Sequence, residues 1–124
     1  MTEEKMRWRD KATKAESETM RSKWEYRDYI LRALLEYSGP VHRSKVIKRA
    51  EELRKSASVN VPKTPEETVQ WCFNSHCAES DVFCGKSELS LFIWPFGKGD
   101  GRWGINESVC RDYVRRQVWT IDDL

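Results

Sequence analysis

The chain has no long hydrophobic run. A helix that crosses a bilayer needs about 20 apolar residues in succession, and no such stretch occurs in the 124 residues. The opening segment MTEEKMRWRDK is charged and lacks an apolar signal core, which predicts a protein that is not secreted. Histidine is scarce, with two in the chain, His42 and His76. Cysteine is limited to four residues, and no two are spaced C-x-x-C. The paired knuckle of most structural zinc sites is therefore missing. In an intracellular chain, cysteines so placed read as free thiols rather than disulfides.

Catalytic signatures are missing as well. There is no H-E-x-x-H, no nucleophile elbow, and no strand carrying the spaced acids and lysine of a PD-(D/E)XK nuclease. GKGDG at positions 97–101 superficially resembles a phosphate loop, but G-x-x-x-x-G-K-[ST] before a helix is absent. The reading is a protein that is not an enzyme, takes no cofactor or metal, and resides in the cytoplasm, or in the nucleus if eukaryotic.

What is present is charge and tryptophan. Charged residues make up 34% and mean hydropathy is −0.76, so a well-solvated surface follows. The net charge of +2 is too small to indicate a nucleic-acid partner, which is judged by local patches. Six tryptophans are many for this length. Some can fill a small core, and others are candidates for exposed binding residues.

Residues 1–24 form a charge-dense arm, helical or partly disordered, in which acids and bases alternate. The folded unit is expected from about Trp24. Ile30, Leu31, Leu34 and Leu35 recur at helical spacing, and Ser38-Gly39-Pro40 ends that helix. PVHR has room for one very short strand. A second helix carries Val46, Ile47, Ala50 and Leu53 on one face and Arg43, Lys45, Lys48 and Arg49 on its flank. After a polar loop, Thr64 is the expected N-cap of a third helix, with Pro65 at its first position and Glu67 completing a capping box. That helix is expected to run through TPEETVQWCFNSHCAES. DVFCGK and LSLFIWPF read as strands, GKGDG as a flexible tip, and RWGIN as the returning strand of a β-hairpin. ESVCRDYVRRQVW reads as a C-terminal helix with Val109, Tyr113 and Val114 inward.

This order predicts an α+β winged helix: a three-helix helix-turn-helix core with a β-hairpin wing over residues 25–106, plus the N-terminal arm and a C-terminal helix and tail over 107–124. YILRALLEYSGPVHRSKVIKRAEEL looks like the first two helices of the winged-helix domain of Mrr-type restriction proteins. The segment from Thr64 to Asn106 resembles the third helix and wing of winged helices attached to nuclease domains in restriction enzymes. The shared pattern is a TPE-x-T helix start (Thr64 to Thr68), an exit from Ser75 to Phe83, and a closing Gly101-Arg102-Trp103-Gly104-Ile105. The resemblance covers roughly residues 26–106. It implies binding to double-stranded DNA, with methylated adenine read by some members of the group. No nuclease domain accompanies it here, so nuclease activity does not carry over. The C-terminal helix is expected either to pack in cis or to form a dimer contact, so a homodimer or a nuclease partner stays open.

At about 100° per residue, Val69, Cys72, Phe73, His76 and Ser80 share one face of the third helix, with Cys77 at its edge. Core packing explains them, since free cysteine behaves as a small hydrophobe. The competing reading is a zinc site of Cys72, His76, Cys84 and Cys110. The opposite face carries Glu67, Trp71, Asn74 and Ala78, flanked by Thr68, Gln70 and Ser75. A tryptophan there is either covered by the arm or the C-terminal helix, or presented for recognition. In the second case Asn74 and Gln70 would bond adenine in the major groove, and Trp71 would touch a thymine methyl or a modified base. Arg43, Ser44, Lys45 and Lys48 at the start of the second helix suit phosphate, as do Lys98 and Arg102 on the wing. Solvated surface is the alternative for both groups. A protein-interaction module is the alternative for the whole, with Trp8, Trp24 and Trp71 as anchors. Trp103 is expected in the core; Trp94 fits either place.

Overall fold

A computed structural model of the chain describes residues 24–37, 39–56 and 65–116. The expectations for the arm before Trp24, for the Thr64 cap, for the loop at 57–63 and for the tail after Arg116 lie outside these residues. The described residues form an α+β fold of four α-helices and one three-stranded antiparallel sheet. In chain order these are α1 (Tyr26–Leu35), β1 (Val41–His42), α2 (Arg43–Ser56), α3 (Pro65–Ser75), β2 (Phe92–Ile93), β3 (Arg102–Ile105) and α4 (Glu107–Arg116). A single 3₁₀ turn at Ser87–Leu89 precedes β2. Among the described residues no helix is long and apolar enough to cross a membrane.

Helix α1 is central. Tyr29, Ile30, Leu31, Ala33 and Leu34 are all buried, on more than one face, so the helix is packed nearly all round. Its start is held by a capping box in which the Asp28 carboxylate accepts from the Glu25 N–H at 2.9 Å. Helix α2 lays Val46, Ile47, Ala50 and Leu53 against it, the four residues that its periodicity marks. A polar clamp closes the same interface. Arg49 meets Glu36 bidentately, Nε to Oε1 at 2.7 Å and Nη2 to Oε2 at 3.0 Å, and Arg32 reaches the same carboxylate.

The sheet order is β1-β3-β2, with Val41 opposite Trp103 and Phe92 opposite Ile105. β2 and β3 form the expected hairpin and β1 the expected short strand, but β2 keeps only Phe92–Ile93 of the expected strand LSLFIWPF, because Leu89 ends a 3₁₀ turn and Trp94–Gly97 already turns. Trp103 is buried, as anticipated. Its ring stacks on Phe73 of α3 at 3.9 Å between centroids, and Phe92 stacks near the same Phe73 ring at 4.9 Å. The two contacts lock α3 to the sheet. Helix α4 folds back with Cys110, Tyr113 and Val114 buried, and Val109 half-buried.

Two sequence expectations are corrected. Helix α3 ends at Ser75 rather than continuing to Ser80. His76 and Cys77 bond back three residues, N–H to the carbonyls of Phe73 and Asn74, which tightens the chain out of the α-helix. The Ser75 carbonyl instead accepts from Cys84 at 2.9 Å, and Cys77 pairs with Phe92 as an isolated bridge. Cys77 is thus fully buried off the helix, while Ser80 and Cys72 are only half-buried. DVFCGK is not a strand but a run of turns and bends. Its Asp81, Val82, Cys84 and Gly85 are solvent-exposed, so no sheet edge or core face supports an extended pairing.

Candidate functional site

The rotational setting of α3 follows from Val69 and Phe73, both fully buried. Residue 71 then lies across the helix from 69 and 73, and Trp71 stands 62% exposed. Neither α4 nor any other described element buries it. Gln70 and Asn74 flank it half-buried, with Thr68 half-buried beside them. Ser75 belongs to the far end: its hydroxyl donates to the Cys72 carbonyl at 2.9 Å and lies 3.1 Å from His76 Nδ1. Its hydroxyl is therefore turned toward the helix and not outward with Trp71. Glu66 and Glu67 are exposed in the first turn, where acids complement the positive helix end.

Helix α2 does the reverse. Its first turn contains no acid, and Arg43, Ser44 and Lys45 are all exposed there, with Lys48 one turn on. Cations at the positive end of a helix are unfavourable by about 0.3–1 kcal/mol each at low ionic strength. Among the described residues no acid pairs with Arg43, Lys45 or Lys48. The remaining arginines of α2 are engaged: Arg49 by Glu36, and Arg54 by the Tyr26 ring 4.1 Å beneath its guanidinium. The helix start is held by its neighbours in the sheet. Arg43 N–H donates to the Gly101 carbonyl at 2.9 Å, and Ser44 N–H donates to His42 Nδ1 at 3.1 Å. His42 is in register with Arg102 on β3. The α2 start and the hairpin stem therefore form one surface.

On the hairpin, Lys98 is exposed at the tip. Arg102 is exposed but occupied. Its Nε and Nη2 donate to both oxygens of Asp100 at 2.7 and 3.1 Å, and its guanidinium lies 4.0 Å over the Phe96 ring. The Asp100 carboxyl is held below its usual value, chiefly by that hydrogen bond to Arg102. Phe96, 55% exposed, is not marked by the sequence pattern as a site residue. The available signal is a phenylalanine after proline and before glycine, at the edge of a turn.

A second polar group sits inside. Tyr113 OH donates to Asp28 Oδ1 at 2.6 Å and accepts from Arg27 Nε at 2.9 Å. Arg27 Nη1 lies 3.4 Å from His76 Nε2. His76 Nδ1 donates to the Cys72 carbonyl at 2.8 Å, which leaves Nε2 as the acceptor facing Arg27. Burial pushes the His76 ring below its usual value and the Arg27 cation adds to this, while the bond to the Cys72 carbonyl opposes it. Burial also pushes the Cys72 thiol up to about 12, so it carries no thiolate at neutral pH. The group is thus a structural polar core and not an activated Cys–His pair.

The alternative zinc ligands do not converge. Cys110 is buried with its thiol donating to the Leu91 carbonyl at 3.1 Å, and Cys84 is exposed. Among the described residues no three His, Cys, Asp or Glu side chains are grouped for a metal. Comparison with protein-family models, with curated proteins and with solved structures returned no match.

Proposed function

We propose that the chain is a winged-helix protein that binds double-stranded DNA. In this reading α3 lies along the major groove, the α2 start meets the phosphate backbone, and the β2–β3 hairpin is the wing. The observation that carries it is the basic first turn of α2. Arg43 and Lys45 oppose the helix dipole and have no acidic partner among the described residues. Departures from local stability rules of this kind concentrate at functional sites. An anion at the same place is favoured by both the cations and the positive end of the helix.

Within this reading Gln70 and Asn74 supply paired donors and acceptors for adenine edges, and Trp71 supplies apolar contact to a thymine methyl or a methylated base. Lys98 adds a backbone contact. Arg102 does so only by loosening from Asp100. A second reading, a protein-interaction module, is favoured by Glu66 and Glu67, which repel phosphate beside Trp71. One titration separates them. Mixed-sequence duplex should bind at low salt, and Lys45→Ala should weaken all sequences alike and lower the salt slope by about 1. Absence of binding at low salt supports the interaction module. Equal affinity for methylated and unmethylated duplex removes the modified-base role of Trp71.

A further inference from the structure

The hairpin tip consists of two successive turns. Gly97 N–H bonds the Trp94 carbonyl at 3.1 Å and Asp100 N–H bonds the Gly97 carbonyl at 3.3 Å. Pro95 sits second in the first turn, where its fixed φ is preorganised, and Gly97 closes it with φ of 93°. Between them Phe96 is thrown outward. Phe96 is 55% exposed, yet its ring is not loose. Arg102 covers one face, and Arg102 is itself held by both Asp100 oxygens. The other face has no contact with an aromatic or cationic group among the described residues. The following side chains, Gly97, Lys98, Gly99 and Asp100, offer no apolar patch around it. What remains is one flat ring, backed on one face, two positions before an exposed lysine.

We infer that Phe96 is a stacking platform for an unpaired nucleobase, so that the wing recognises a duplex from which one base has left the helix. A flat partner matches a single ring face, and the phosphate of every nucleotide matches Lys98. Base pairs inside the duplex already use both faces in the stack; away from the duplex ends, a bulged or flipped base has one to offer. Asp100 and Arg102 keep the platform in place before the base arrives, which limits the ordering cost of binding. The inference rests on the duplex-binding reading for the contacts on either side of the base.

The test is a set of anisotropy titrations at low salt with a blunt duplex and the same duplex carrying a one-nucleotide bulge. The wild-type chain should bind the bulged duplex about 5-fold or more tightly than the blunt one. Phe96→Ala should remove that preference and leave blunt-duplex affinity within about 2-fold, because it removes the stacking face and the Arg102 cation–π contact while Asp100 still holds Arg102 in place. Phe96→Trp should retain the preference, with emission quenched on binding. Near-UV circular dichroism from Trp94 and Trp103 verifies that the hairpin is folded in each variant. A wild-type chain that binds both duplexes equally overturns the inference, as does a folded Phe96→Ala variant that is weakened equally for both. Those outcomes leave duplex binding standing; no binding to either duplex removes both.

Discussion

Replacing Tyr113 by phenylalanine tests whether α4 is an integral part of the fold. The hydroxyl is buried, donates to a buried carboxylate at 2.6 Å, and accepts from Arg27 at 2.9 Å. Hydrogen bonds to charged groups contribute about 1.5–3 kcal/mol. The ring itself stays, so no methylene-sized cavity adds to this. Asp28 keeps the Glu25 N–H, which moderates the effect. A destabilisation of about 2 kcal/mol is expected, or a fall in Tm of about 8 °C for a domain of this size. Urea melts followed by tryptophan emission and by far-UV circular dichroism measure it, and the two probes should shift together. The sharper assay is the cycle of Tyr113→Phe, Asp28→Asn and the double variant. Direct partners should show a coupling of about 1 kcal/mol or more, whereas distant sites add within about 0.5 kcal/mol. Additive effects would refute the buried pair, and a Tyr113→Phe variant as stable as the parent would refute the docking of α4 through it.

Two further outcomes follow from the same interior. His76 has a folded value below its ordinary 6.5, so the unfolded chain takes up the proton first. Its contribution to stability is full above that value and is lost as pH falls below about 6.5; His76→Gln should flatten the urea midpoint between pH 6.5 and 5. With a thiol-alkylating reagent at neutral pH, mass spectrometry should show rapid labelling at Cys84 alone, since Cys77 and Cys110 are buried and the Cys72 thiol is pushed up to about 12. Rapid labelling of Cys77 or Cys110 would show that the core around Phe92 and Leu91 is not closed.

The helices were legible because each buries a face at helical period: Val46, Ile47, Ala50 and Leu53 in α2 are the four that the pattern marks. The hairpin was legible from its apolar strands and glycine-rich tip. The end of α3 was not, because it is decided by partners far along the chain. Cys84 takes the Ser75 carbonyl and Phe92 pairs with Cys77, neither of which a window around Ser75 contains. Nor could local pattern show that Asp28 and Tyr113, 85 positions apart, would meet. For the candidate site, periodicity placed Trp71 outside and Val69 and Phe73 inside correctly. It could not show that Arg102 is occupied by Asp100, or that Ser75 bonds back into its own helix. Charge was visible in the sequence; whether a charge is engaged was not.

The bond from Arg43 to the Gly101 carbonyl has a metric consequence. Gly101 has φ of 90°, and a Cβ there would stand 3.1 Å from His42 Nε2, so the stem closes against His42 and the helix start without room for a side chain. The cations of α2 and Lys98 are therefore held on one frame, with only the two turns at the tip to alter their spacing. In the proposed duplex reading, such a surface would respond to where negative charges stand as well as to how many there are, and two anionic partners of equal charge but different pitch would be told apart.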